Sequence, residues 1–176
     1  MLLAPIATLA GLLVLAGLLK ARRPEAATGA LHAVGLPGGA LVVRLLAAGE
    51  IAAGVAALMV AQRTGALVLA GTYAVLGVVA WRLLSTAPGS PGCGCFGDLR
   101  SPVHAVHLAF DLIAAALASM GALSGGAAPS LLSAWGDQHL TVGAPLALAT
   151  LAGVALSYVL LTVAPGSWGA WEGSAR

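Results

Sequence analysis

Five apolar runs, each long enough as a helix to cross the roughly 30 Å hydrocarbon core of a bilayer, decide what this chain can become. They lie near residues 2–19, 40–61, 65–84, 103–123 and 142–164. Of 176 residues, 60% are hydrophobic and 8% charged, whereas a soluble domain carries about 25% charged residues. With a mean hydropathy of +0.99, too few charges remain to solvate a globule of this size. The apolar residues are mostly Ala, Leu, Val and Gly, with 24 glycines, a composition that suits helices approaching closely through small side chains. The expected architecture is an all-α, polytopic transmembrane helix bundle in the cell (inner) membrane. A four-helix core occupies residues 1–123, and residues 124–176 supply a loop, a fifth C-terminal helix and a short tail.

The connections carry their own information. The first run has no basic segment before it, and Lys20, Arg22 and Arg23 follow where a cleavage site would stand, so it reads as a retained helix and not a signal peptide. Between the first two spans, Pro24 to Gly39 is too short and interrupted to cross, and its Leu36-Pro37-Gly38-Gly39 breaker predicts a short interfacial or re-entrant piece. The link Ala61 to Gly65 is so short that spans two and three must form an antiparallel hairpin. Eight basic and six acidic groups give a net charge of +2, too weak and dispersed for a nucleic-acid partner. Membrane lipid is the expected surrounding.

The connection from Ser85 to Pro102 is different, because it is rich in proline and glycine and holds both cysteines of the protein. In Gly92-Cys93-Gly94-Cys95-Phe96-Gly97 one glycine separates the two sulfurs, and glycine tolerates the backbone angles that would turn them toward each other. A disulfide requires Cα atoms about 4.4 to 6.8 Å apart, which positions i and i+2 reach only with a bent backbone. Strained, exposed disulfides are the labile and catalytic ones. A bond that closes so small a loop also removes little chain entropy, so it makes a poor staple. Cys93 and Cys95 are therefore the candidate catalytic residues, as a redox-active disulfide.

Four polar residues are candidates to support the pair. His104, His107 and Asp111 fall at spacings of three and four on one face of the fourth span, running from the cysteine loop into the bilayer. An acid inside a span costs about 2.5 to 3.5 kcal/mol on insertion scales and turns toward the bundle interior. Glu50 in the second span falls under the same rule, and the economical solution is a bundle in which Glu50 and Asp111 meet polar partners. The histidines either tune an attacking cysteine or simply sit at headgroup level. Arg44 and Arg82, near span ends, are expected to snorkel.

The Cys93-Gly94-Cys95-Phe96-Gly97 loop before a membrane helix resembles the MauE proteins of methylamine utilisation, within the wider DoxX-like group of redox-associated membrane proteins. Gly17-Leu18-Leu19-Lys20 at the end of the first span is similar to that group's Gly-x-x-Lys signature, and Glu50 followed by Gly54 adds to the likeness over about residues 8–123. Phe110-Asp111 departs from the Arg-Asn pair found in many members. The resemblance implies a helper in protein maturation: a thiol-disulfide oxidoreductase or accessory factor that works with a thioredoxin-like protein partner. Its client would be a disulfide-containing protein, as in maturation of methylamine dehydrogenase.

Two alternatives belong beside this reading. Cys93, Cys95, His104 and His107 form a C-x-C-x8-H-x2-H series, and two thiolates with two imidazoles suit zinc or copper(I). The cysteine spacing is shorter than is usual for zinc, which weighs against a metal-binding carrier. A structural membrane subunit explains the small-residue helices but leaves the cysteine loop unexplained. No cofactor beyond the redox-active disulfide is favoured, and quinone and metal both stay open. If all five spans cross, Lys20, Arg22, Arg23, Arg44, Arg82 and Arg100 share one side and Arg63 lies opposite, so the positive-inside rule places the cysteines at the cytoplasmic face. An exported client would instead require the outer face, where disulfides persist.

Overall fold

A computed structural model of the chain describes residues 3–60, 62–86, 94, 104–124 and 143–163. Among these residues there are six helices and no strands: α1 (Leu3–Arg22), α2 (Glu25–Ala33), α3 (Ala40–Met59), α4 (Gln62–Thr86), α5 (Ala105–Ser124) and α6 (Ala144–Thr162). All except α2 are long and apolar enough to cross a membrane. A helix satisfies its own backbone hydrogen bonds where no water is at hand, which is why apolar runs of this length take that form. The five expected spans are all present.

The directions of the core helices follow from where their glycines touch. A Cβ built at Gly17 would lie 2.7 Å from the Ala47 carbonyl oxygen, and one at Gly54 would lie 2.7 Å from the Ala10 carbonyl oxygen. Numbers rise along α1 as they fall along α3, so the two are antiparallel. On the other side, Gly77 of α4 faces Asp111 and Gly121 of α5 reaches Ala66, which makes α4 and α5 antiparallel too. At the α3–α4 turn, a Cβ at Gly65 would come within 2.6 Å of the Ala57 carbonyl oxygen, so the hairpin is pinched tightly at that end. One end of the bundle therefore gathers the C-terminus of α1, the N-terminus of α3, the C-terminus of α4 and the N-terminus of α5.

Between the two helix pairs lies one apolar core built from Ile6, Leu9, Leu13, Leu69, Tyr73, Ala114 and Ala118, among others. Tyr73 is stacked edge-on against Phe110, with ring centroids 6.2 Å apart. Its hydroxyl donates to the Leu9 carbonyl at 2.8 Å, so a polar tip is brought inside without an unmet hydrogen bond. Half of the apolar window of α1 is buried against 6% of that of α6. Thus α1 is central, and α6 leans on its outside through Gly11 and Gly153.

The Pro24–Gly39 segment holds the short non-spanning helix α2. Its end is a Schellman motif: Gly35 takes φ 74°, with Gly35 N–H bonded to His32 O and Leu36 N–H to Leu31 O. Pro37-Gly38-Gly39 then folds back, held by a 3.0 Å contact between His32 Nε2 and the Gly38 carbonyl. The approach at 38 is close: a Cβ there would fall 2.6 Å from the His32 ring, which would have to shift. α2 thereby lies across the same bundle end as the C-terminus of α1.

Candidate functional site

The buried face of α3 is Val43, Ala47, Glu50, Gly54 and Ala57, a four-three alternation that marks one stripe of a helix. Glu50 belongs to that stripe, so its carboxylate must be met inside the bundle. Lys20 of α1 meets it through an ion pair between Nζ and Oε1. The side chains are each 9% exposed, and a charge in such a place persists only with a partner. The glycine contacts flank this pair: Gly17 against Ala47 and Gly54 against Ala10 bring α1 and α3 close enough for it to form. Glu50 Oε2 is buried and has no hydrogen-bond partner among the described residues.

On α5 the buried stripe is His107, Asp111, Ala114, Ala118 and Gly121, spaced in the same alternation. A cavity of about 30 Å³ lies beside it, lined by Lys20, Tyr73, His107, Phe110, Asp111 and apolar neighbours. That is the scale of one or two waters. Lys20 thus joins the Glu50 side of the bundle to the His107 and Asp111 side. His104 and His107 also cap α5. His104 Nδ1 accepts from Val106 N–H at 3.4 Å, and His107 Nδ1 lies 3.4 Å from the His104 N–H and 3.3 Å from its carbonyl. An N-cap side chain reaching forward while the third helical residue reaches back is the reciprocal arrangement of a capping box. The two histidines therefore have structural work at the helix start, whatever else they do.

A second cavity, of about 560 Å³, lies between α3 and α4 below α2. Lys20 and Glu50 line it, together with Ala30, Leu31, Val68, Leu76, Val79 and Gly94. Gly94 is the residue between the two cysteines. It is buried, has φ 69°, and sits so close to α2 that an added Cβ would lie 2.5 Å from Ala27 Cα. Only glycine combines that backbone angle with that approach.

A family model described as methylamine utilisation protein MauE matches residues 1–124. The chain belongs to the MauE family. The matched region covers α1 to α5 and stops where α5 ends, so in this MauE protein α6 lies outside the match. No curated protein and no solved structure matches the chain. By family and by its five apolar helices, it is a multi-pass membrane protein of methylamine utilisation.

Of the site residues read from the sequence of this MauE member, the structure buries Glu50, His107 and Asp111 and leaves His104 half-buried. Glu50 and His107 both contact cavities that Lys20 lines. Cys93 and Cys95 lie outside the described residues, as do Arg100 and the C-terminal tail. The four-ligand metal alternative needs both cysteines; among the described residues no three of His, Cys, Asp and Glu gather to hold a metal. Arg44 and Arg82 are exposed, as snorkelling side chains are. Lys20 differs from its expected place among the flanking charges: α1 continues through it to Arg22, and it is 7% exposed. The signal for it was present in the sequence. Lys20 stands three residues after Gly17, and Glu50 four before Gly54, which puts each charge on the same helix face as its close-contact glycine.

Proposed function

We propose that this MauE protein is a thiol-disulfide redox protein of the cell (inner) membrane that assists disulfide formation or maturation of a partner protein, with Cys93 and Cys95 as the exchanging pair. The observation that carries the reading is the placement of Gly94. This residue is covalently bonded to both cysteines, is held in a left-handed conformation against α2, and lines the same cavity as the buried Lys20–Glu50 pair. A loop that only joined two helices would have no reason to press its central glycine into the bundle. A loop whose central glycine is fixed beside a buried ion pair suits thiol exchange, because thiolate reactivity is set by nearby charge and by burial.

The exchange balances within the two proteins. A client thiolate attacks one sulfur of the Cys93–Cys95 disulfide, giving a mixed disulfide and releasing the other sulfur as a thiolate. The second client thiolate then displaces the first cysteine. The client gains an S–S bond, while two electrons and two protons pass to the Cys93/Cys95 dithiol. A thioredoxin-like partner exchanges with the same pair by the same route. His107 and Asp111, which line a small cavity together with Lys20, are positioning residues in this scheme.

The test is trapping. Cys93→Ser and Cys95→Ser, each expressed in the full-length protein, should capture a thioredoxin-like protein or a client as a mixed disulfide that reductant releases, and the two variants should trap unequally because only one sulfur is attacked first. Absence of any reductant-sensitive complex with either variant would refute the exchange role.

A further inference from the structure

Among the described residues, the cavity between α3 and α4 is lined by a buried ion pair, by Thr72 and otherwise by aliphatic side chains and glycines. Its volume of about 560 Å³ lies within the roughly 300–1,000 Å³ of small-molecule sites. We infer that it binds a membrane quinone, the two-electron acceptor that reoxidises the Cys93/Cys95 dithiol; the inference rests on the thiol-exchange reading above.

Two exposed glycines stand on the two walls. Where glycines in this bundle serve helix contact, at positions 17, 54 and 65, an added Cβ would run into backbone within 2.7 Å. Gly49 on α3 and Gly71 on α4 both line the cavity, and a Cβ at either would meet nothing within 4 Å. Their smallness keeps the mouth of the space wide, and a side chain at either would meet no close neighbour among the described residues.

The route in is lateral. Leu45 and Leu46 of α3 and Leu67 and Val75 of α4 line the cavity and are each more than half exposed on the outer faces of their spans. A hydrocarbon-soluble molecule therefore enters from the bilayer without crossing water. The occupant must also have a polar end, because Lys20 and Glu50 form part of the wall and Glu50 Oε2 is a buried acceptor with no partner among the described residues. An acyl chain would leave these groups unused. A quinone head uses both: the ammonium donates to a carbonyl oxygen as charge builds there, and the carboxylate accepts from the hydroxyl of the quinol. Gly94, the residue between the two cysteines in sequence, lies on the same wall.

The step balances. Two S–H bonds of the dithiol break, one S–S bond forms, and two electrons with two protons convert quinone to quinol. Each turn thus restores the disulfide consumed by a client.

The experiment uses full-length protein in nanodiscs, with decylubiquinone as the probe. Binding is measured by equilibrium titration; electron transfer is measured in a single turnover of prereduced protein, following quinone absorbance and free thiols together. Wild type should reduce one quinone with loss of two thiols. Gly49→Phe and Gly71→Phe, which fill the cavity from opposite walls, should each weaken binding by about tenfold or more, while Gly29→Ala, exposed and outside the cavity, should bind as wild type does. Cys93→Ser and Cys95→Ser should bind normally and reduce nothing. No binding by wild type, unchanged binding by both filled variants, or occupancy by phospholipid acyl chains only would overturn the quinone site. Binding without reduction, in protein whose cysteines still exchange with glutathione, would overturn the acceptor role alone. Failure of glutathione exchange as well would refute the thiol reading, and with it the electron-transfer step.

Discussion

Replacing the Lys20–Glu50 pair one member at a time, and then both together, tests whether this pair is the polar keystone of the α1–α3 interface. The side chains are each 9% exposed. Removing one partner of a buried pair strands the other charge, at a cost of about 3–5 kcal/mol, whereas replacing both by apolar residues of similar volume is near neutral or stabilising. Lys20→Met strands Glu50, whose Oε2 already has no partner among the described residues. Glu50→Met strands a Lys20 that takes part in a further interaction. Lys20→Met should therefore be the worse of the two, within that range, and the double variant should return to within about 1–2 kcal/mol of wild type. Reversible unfolding of the purified protein in mixed micelles, followed by helical circular dichroism against added denaturing detergent, reads all three differences on one scale. Single variants within about 0.5 kcal/mol of wild type, or a double variant as unstable as the sum of the singles, would refute the reasoning.

Three other expectations follow from particular contacts. Gly54→Val drives a side chain into the α1 backbone, where a Cβ already falls 2.7 Å from Ala10 O, so it should destabilise by about 1–3 kcal/mol in the same assay; Gly49→Val, with open space at its Cβ, should be nearly silent. Gly94→Ala combines a φ of 69° with a clash against Ala27; a strain of about 1–2 kcal/mol should undock the loop, raise alkylation rates at Cys93 and Cys95 several-fold and leave the helix content unchanged. The bundle end that carries Lys20, Arg22, Arg23, Arg44 and Arg82 should be cytoplasmic under the positive-inside rule, so an impermeant maleimide should label the cysteines only after cells are permeabilised; labelling of intact cells would overturn that orientation and put the pair where an exported client folds.

The spans were legible because apolar run length is a one-dimensional quantity, and so was the inward turn of Glu50 and Asp111, since an acid inside a span has to face the bundle interior; for His107 the countable spacing showed only that it shares the face of Asp111. What could not be counted was which element faces which. Gly17-x-x-Lys20 and Glu50-x-x-x-Gly54 read as two separate short matches, yet in the folded chain they form one interface, with the glycines setting the distance and the charges meeting between them. Lys20 was read as a flanking charge because apolar counting stops at the first cation; a buried partner lets the helix run past it. The histidines pointed toward the cysteines by proximity alone, and the sequence pattern did not reveal that their Nδ1 atoms would cap α5. The large cavity had no linear signature either, since its described walls come from α1, α2, α3, α4 and Gly94.

Whether Cys93 and Cys95 form a reversible redox pair is read out by a redox titration of the purified wild-type protein in nanodiscs. The protein would be equilibrated across glutathione buffers spanning the thioredoxin to protein disulfide isomerase range, about −270 to −180 mV, then quenched with acid and labelled with a mass-tagged maleimide. A single two-electron transition is expected, in which both thiols are lost together and which is reached from either direction, with no transition in Cys93→Ser or Cys95→Ser. Two thiols that stay reduced at every poise, or a disulfide that no buffer reduces, would contradict it.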